Sequence, residues 1–188
     1  MSKRLNLPKL EEQIQKCWSQ KAIFNEVCES KKGNKKFYFC QGPPFTSGKA
    51  HIGHAWNHSI KDAVLRYKTM CGFDVFRRAG WDMHGLPIEV KVEETVLGSR
   101  TKKEIEEYGI ENFITECKKF AIQNMNQMTE QLRRLGIWLD WDDPYMTIDK
   151  RYMEGVWFLI KRAHEENLLY EAERVIHWCP RCETALSG

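Results

Sequence analysis

The sequence predicts an α/β protein built on a parallel sheet, and three observations carry that reading. Short apolar runs alternate with longer amphipathic stretches, in the order strand, helix, strand, helix, between Phe37 and Gly98. A length of 188 residues suits one domain with a real core and a small appendage. Hydrophobic residues make up 42% and charged residues 29%, with a mean hydropathy of −0.58, a globular composition that excludes a disordered chain and a membrane protein.

The elements follow in order. Leu10, Ile14, Cys17 and Trp18 fall near helical spacing within Leu7 to Val27, and Gly33 with Asn34 ends the pattern. The run Phe37, Tyr38, Phe39, Cys40 suits a buried strand. After a loop rich in glycine, proline and serine, residues 52–71 place Ala55, Ile60, Ala63, Val64, Tyr67 and Met70 on one helical stripe, which Gly72 stops as the C′ residue. Phe73 to Arg77 reads as a second strand. Pro87 at a helix N1 position opens Ile88, Val92 and Val96 at four-residue spacing, and Gly98 closes that helix. Thr101 with Glu104 fits a capping box, and Phe113, Cys117, Phe120, Asn124, Met128, Leu132 and Leu135 continue the helical rhythm to Gly136, with the methionines as core filler. Trp138 to Pro144 reads as a loop. A helix capped near Asp149 turns Met153, Val156, Trp157, Ile160 and Ala163 inward, and a strand at Arg174 to Trp178 leads into a Cys-Pro-Arg-Cys turn. Ligands of parallel sheets gather beyond the C-terminal strand ends, so the loops after the first two strands are where chemistry is expected.

Charge is uninformative about partners. The net value is +3 with a pI near 8.4, and the lysine clusters at 31–36 and 102–103 sit beside polar or acidic residues as solvated surface. Met1 to Trp18 carries Glu11 and Glu12 and no continuous apolar run, so it does not read as a targeting peptide, and a cytoplasmic location is expected. Of seven cysteines, five are scattered singly, as reduced thiols would be, and Cys179 and Cys182 form a pair.

The loop after the first strand, from Gln41 to His54, is the densest in chemistry. A Walker A phosphate loop fails there: the glycines are one residue too far apart, Ala50 stands where a magnesium-binding hydroxyl belongs, and Pro43 and Pro44 remove backbone donors. What remains is His51-Ile52-Gly53-His54 at the start of a helix. Imidazoles three residues apart face the same way on a first turn, beside unpaired N–H groups, where they can donate to a polyphosphate, and Gly53 leaves room for a flat base. The plain alternative is a pair of surface histidines. The segment Gly80 to Pro87 follows the second strand, and its Asp82 could hold an ammonium group or serve as a local cap. Cys179 and Cys182 could give two thiolates to a tetrahedral zinc, but no second C-x2-C occurs, so they make half a site, with His177 either a third ligand or a strand residue. The pair lacks the Trp-Cys-Gly-Pro-Cys setting of a redox dithiol.

Together these residues resemble the class I aminoacyl-tRNA synthetases. His51 to His54 is the HIGH signature of that class in its literal form, and Gly42-Pro43-Pro44, Tyr67 to Met70, Arg77 to Glu89 and Trp178 to Thr184 resemble its isoleucine-specific branch. The resemblance runs from about Phe37 to the end. It implies a Rossmann-type parallel sheet, ATP with Mg2+, L-isoleucine and the cognate tRNA as partners, and neither DNA nor membrane. It implies further that His51 and His54 stabilise the reacting phosphorus, that Gly53 faces adenine, that Gly42 and Pro43 line the amino-acid pocket, and that Asp82 binds the substrate ammonium. The partner cysteines of Cys179 and Cys182 lie much further along the family's chains, so Zn2+ would belong to a full-length, monomeric enzyme.

The Lys-Met-Ser-Lys-Ser loop, the editing domain and the anticodon-binding helices of that family are absent from these residues. The expected layout is therefore an N-terminal helical extension at 1–35, the first half of the nucleotide-binding catalytic domain at 36–173, and the start of a zinc-binding insertion at 174–188. Two alternatives stand beside it. One is a free-standing HxGH nucleotidyltransferase; the other is a non-catalytic module that binds nucleotide or tRNA.

Overall fold

A computed structural model describes residues 5–98 and 101–186. Two compact units divide between Tyr152 and Met153. The first opens on α1 (Leu7–Gln20), whose N-cap Asn6 accepts from the Lys9 N–H at 3.2 Å, with Pro8 in the first turn. The single helix expected over Leu7 to Val27 is two, because Ala22 takes a left-handed φ of 48° and α2 (Ile23–Lys31) starts afresh. Phe24 and Trp18 both pack edge-on against the Trp138 ring, so the break lets both helices bring an aromatic to it.

The sheet has three parallel strands in the order β1 (Lys36–Cys40), β2 (Asp74–Trp81), β3 (Asp140–Met146). The expected second strand is present, starting one residue later, at Asp74, and ending four residues later, at Trp81. The third strand corrects the loop expected at Trp138 to Pro144. Asp140, Asp142, Asp143 and Pro144 hide any apolar alternation, but an edge strand tolerates proline and charge. Asp140 Oδ1 accepts from the N–H groups of Asp142 and Asp143, and a register shift between Arg78 and Gly80 absorbs the irregularity.

Between β1 and β2 runs α3 (Ile52–Met70), ended by Gly72 at φ 90° with its N–H on the Thr69 carbonyl, as the C′ reading requires. Its buried face is not the predicted stripe. Ile60, Val64, Tyr67 and Met70 are exposed, and His58, Asp62, Leu65 and Thr69 are buried. Periodicity of apolar residues misleads here because the buried polar groups of this face each find hydrogen-bond partners. Asp62 holds Arg66 at 2.6 Å and the Trp138 N–H at 2.8 Å, while Thr69 donates to the Leu65 carbonyl and accepts from Arg77.

Pro87 lies in the first turn of α4 (Leu86–Thr95), as predicted. The Thr101–Glu104 capping box opens α5 (Lys102–Tyr108), and Gly109 at φ 100° separates it from α6 (Ile110–Arg134), so the predicted continuous stretch is two helices. Leu65, Val75, Ala79, Trp81, Ile88, Val92, Met128 and Leu132 share one core between α3, α4, α6 and the sheet, with Met128 fully buried as filler.

Asp149 caps α7 (Lys150–Glu165) by accepting from the Arg151 N–H at 2.8 Å. No residue of α7 is buried: of the stripe expected to face a core, Met153, Val156, Trp157 and Ile160 are exposed and Ala163 is half-buried. In the second unit, β4 (His177–Cys179) and β5 (Thr184–Leu186) form an antiparallel hairpin around the Cys-Pro-Arg-Cys turn, starting three residues later than the strand expected at Arg174. Among the described residues no helix is long and apolar enough to cross a membrane.

Candidate functional site

The loop from Gln41 to Ala50 leaves the C-terminal end of β1 and is pinned at three places. Asp82 N–H donates to the Pro44 carbonyl and Thr46 N–H to the Asp82 carbonyl, each at 3.0 Å, so Phe45 and Asp82 form one more rung beyond the strands. Ala50 N–H donates to Gln131 of α6 at 2.8 Å. The loop and the first turns of α3 enclose a cleft of about 600 Å³ lined by Gly42, Pro43, Lys49, His51, His54 and Lys61, among others. It opens beyond a strand C-terminus, where a parallel sheet is expected to bind ligand.

The two histidines cap their own helix. His51 is the N-cap residue and its Nδ1 accepts from the Gly53 N–H at 3.1 Å, while the His51 N–H donates to His54 Nδ1 at 3.3 Å. The rings lie close together, tilted by 32° with centroids 3.9 Å apart. Each Nδ1 is therefore an acceptor, and each neutral ring carries its proton on Nε2. Burial, then the neighbouring His51, holds His54 below its ordinary value and keeps it neutral. The pair offers two Nε2–H donors at a helix N-terminus. Gly53 is needed for this arrangement: a Cβ there would sit 2.9 Å from His51 Cε1, so the His51 ring occupies the space left by the missing side chain.

Asp82 is not among the cleft-lining residues. It lies beside them, on the strand end bonded to Pro44 and Thr46. Its carboxylate accepts from the Thr147 hydroxyl at 3.4 Å, and that hydroxyl also takes the Met83 N–H at 2.9 Å and lies 2.8 Å from His84 Nδ1. Thr147 follows β3, the strand that the sequence pattern conceals, so its role had no signal in the sequence. Gln41, Tyr145 and His58 were missed as well. The Tyr145 hydroxyl donates to the Gln41 carbonyl, and burial pushes its pKa up to about 12. The only hint of His58 was its place four residues after His54, one helical turn along the same face.

Cys179 and Cys182 lie in the β4–β5 hairpin, with the Cys182 N–H 3.5 Å from Cys179 Sγ. That backbone bond is the chief cause holding the Cys179 thiol below its ordinary value, which favours the thiolate a metal would need. Among the described residues no group of three or more histidine, cysteine, aspartate or glutamate side chains could hold a metal. Two thiolates do not complete a tetrahedral zinc site.

Comparisons with known proteins agree with this geometry. Residues 13–188 match the family described as tRNA synthetases class I (I, L, M and V). The chain is 57% identical over 180 residues to an isoleucine–tRNA ligase of Pyrococcus abyssi and 53% identical over 178 residues to that of Archaeoglobus fulgidus, covering 95% of this chain in each case. It spans 17% of the length of either relative. A solved leucyl-tRNA synthetase from Agrobacterium radiobacter K84, in complex with tRNA and LeuAMS, superposes with a TM-score of 0.69 at 26% identity, over 94% of this chain and 20% of that one. The expected Rossmann-type α/β fold is thus shared with a synthetase catalytic region, and a free-standing nucleotidyltransferase is set aside. By its cleft, its histidine pair and 176 matched residues, 13 through 188, the chain belongs to the class I tRNA synthetases of the isoleucine, leucine, methionine and valine group.

Proposed function

We propose that the full-length protein carrying this chain activates L-isoleucine with ATP and transfers it to the cognate tRNA in the cytoplasm, and that this chain supplies the HIGH half of the active site. The single observation that carries the reading is the close His51–His54 pair, with both Nε2–H groups free to donate at the head of α3 beside the Gly42–Pro43 wall. Isoleucine, out of the four amino acids of the family, is favoured by the 50–57% identity to isoleucine–tRNA ligases.

In the first step a carboxylate oxygen of isoleucine bonds to the α-phosphorus of ATP, the bond to the bridging oxygen breaks, and pyrophosphate leaves with the electron pair as its magnesium complex. In the second, a hydroxyl oxygen of the terminal tRNA ribose bonds to the activated carbonyl carbon, the bond from that carbon to the adenylate oxygen breaks, and AMP departs with the electron pair while the hydroxyl proton passes to its phosphate. Catalysis of the first step is positioning and charge stabilisation, because no proton must move at phosphorus. Neutral histidines donating from Nε2 suit such a reaction, since they stabilise charge growing on phosphoryl oxygens and have no acceptor left with which to act as bases. Asp82 pairs with the ammonium group, and its rung with Phe45 keeps that anchor at a fixed distance from the Gly42–Pro43 wall.

Pyrophosphate exchange dependent on isoleucine tests the reading in the full-length protein. Asp82→Ala should raise the KM for isoleucine far more than that for ATP, and His54→Ala should lower kcat with little change in either KM. Absence of isoleucine-dependent exchange sinks the reading. Equal changes in both constants for both variants sink the role assignments.

A further inference from the structure

Two buried residues at the cleft have no part in the reaction as described. Gln41 directly follows β1 and is 2% exposed; His58 stands in the second turn of α3 and is 3% exposed. His58 Nδ1 lies 2.8 Å from the His54 carbonyl oxygen, which can only accept, so Nδ1 carries a proton. Burial holds His58 below its ordinary value, which leaves the ring neutral and Nε2 an acceptor. The side-chain amide of Gln41 donates to that Nε2 across 2.8 Å. At the other end, the Tyr145 hydroxyl donates to the Gln41 carbonyl. Every bond in the sequence Tyr145, Gln41, His58, His54 therefore has a fixed direction.

The arrangement costs stability, since Gln41 Oε1 is buried without a partner among the described residues. An apolar pair of similar shape would avoid that cost, but it would not fix a distance. The distance matters because of what lies on either side. Gln41 is joined covalently to Gly42 and Pro43, one wall of the cleft, and His58 grips the carbonyl of His54, whose ring lines the other.

We propose that Gln41 and His58 are positioning residues for amino-acid activation, a hydrogen-bonded clamp that holds the Gly42–Pro43 wall and the His54 turn at one separation so that carboxylate and phosphorus meet in line. The proposal rests on the function argued above. It assigns neither residue a contact with substrate.

The test is isoleucine-dependent pyrophosphate exchange by the full-length protein, with active sites counted by single-turnover adenylate formation. Wild type is compared with His58→Phe, Gln41→Leu and the double variant. Misplacement by about an ångström slows an aligned reaction without weakening either substrate's binding. Each single variant should therefore lose about tenfold in kcat per active site, with the KM values for isoleucine and ATP within about twofold of wild type. The double variant should be no slower than the slower single one, because each substitution breaks the same unit. If His58→Phe does not yield folded protein, Gln41→Leu, which also removes the unmet acceptor, carries the kinetic test alone. The clamp is overturned by a kcat per site within about twofold of wild type in either single variant, by a loss that appears only as fewer active sites, or by multiplied losses in the double variant. A wild-type protein without isoleucine-dependent exchange overturns the underlying function and the clamp with it, whereas an active wild type matched by its variants overturns the clamp alone.

Discussion

The ring of Tyr145 lies across Gly80 so closely that a Cβ on Gly80 would overlap it. The two residues are register partners on β3 and β2, just past the shift that follows Arg78. Only glycine lets the tyrosine cross β2 and reach the Gln41 carbonyl at the end of β1. An edge strand is thereby tied to the loop that forms the cleft.

Gly80→Ala should consequently cost more than removing the hydrogen bond it protects. Overpacking against a half-buried ring costs about 1–3 kcal/mol, while Tyr145→Phe, which loses one hydrogen bond, should cost about 1 kcal/mol. Half-inactivation temperatures of the full-length protein rank the two. Gly80→Ala at or above the stability of Tyr145→Phe would contradict the packing argument.

Asp62 carries a larger share of the fold. It is buried in α3, and its two oxygens hold Arg66 at 2.6 Å and the Trp138 N–H at 2.8 Å. Arg66 in turn stacks over the Trp138 ring, 4.0 Å from its centroid, and donates to the Gly136 carbonyl. Asp62→Ala leaves the Trp138 N–H without its acceptor and takes one partner from a guanidinium that keeps the Gly136 carbonyl and the Trp138 ring, so a loss of about 1–3 kcal/mol is expected. Asp62→Asn keeps an acceptor for Trp138 and should lose less. Chemical unfolding of both variants decides the order.

How far the fold was legible follows from these residues. The strand–helix–strand–helix order, the capping box at Thr101 and the turns at Gly72 and Pro87 were readable because each is set by local chemistry. β3 was not, since three aspartates and a proline conceal a strand whose pairing is dictated by β2. The inner face of α3 was misread for a related reason: His58, Asp62 and Thr69 are buried by partners distant in sequence, and apolar periodicity carries no record of a hydrogen bond. At the site, His51, Gly53 and His54 were legible as a motif because helix capping is local. The joining of Asp82 to Pro44 and Thr46 required the sheet.

Acid should destabilise the protein through His58. Its folded pKa is lowered from the ordinary 6.5, chiefly by burial; the bond to the His54 carbonyl opposes that effect, and Lys61 and His54 add to it. The unfolded chain therefore takes up a proton first as the pH drops below about 6.5, and the native state loses stability at up to about 1.4 kcal/mol per pH unit for that proton. The contribution is fully present above 6.5 and declines as the pH falls through the window down to the lowered native value. Unfolding midpoints between neutral and mildly acid pH should fall less steeply in His58→Phe than in wild type. Parallel slopes would show that another group dominates.

Gly53→Ala separates stability from activity most cleanly. The new Cβ would come within 2.9 Å of His51 Cε1 and 3.1 Å of Nδ1, so the exposed ring must swing away and release the Gly53 N–H. Losing that cap bond costs about 0.5–2 kcal/mol, and replacing glycine by alanine in the first turn returns about 0.5–1 kcal/mol, so net stability should change little. The histidine pair is another matter. With the His51 ring displaced, its Nδ1 is no longer held as an acceptor, its Nε2–H no longer has a fixed aim, and the face over residue 53 is filled by a methyl group. A fall of about tenfold in kcat for pyrophosphate exchange is expected, less than the roughly 100- to 1,000-fold cost of deleting a preorganised donor outright, because the displaced ring keeps its N–H and loses only its aim. Thermal inactivation and exchange kinetics on one preparation check both halves, and a Gly53→Ala protein with unimpaired kcat would show that the aim of the His51 ring does not matter to the reaction.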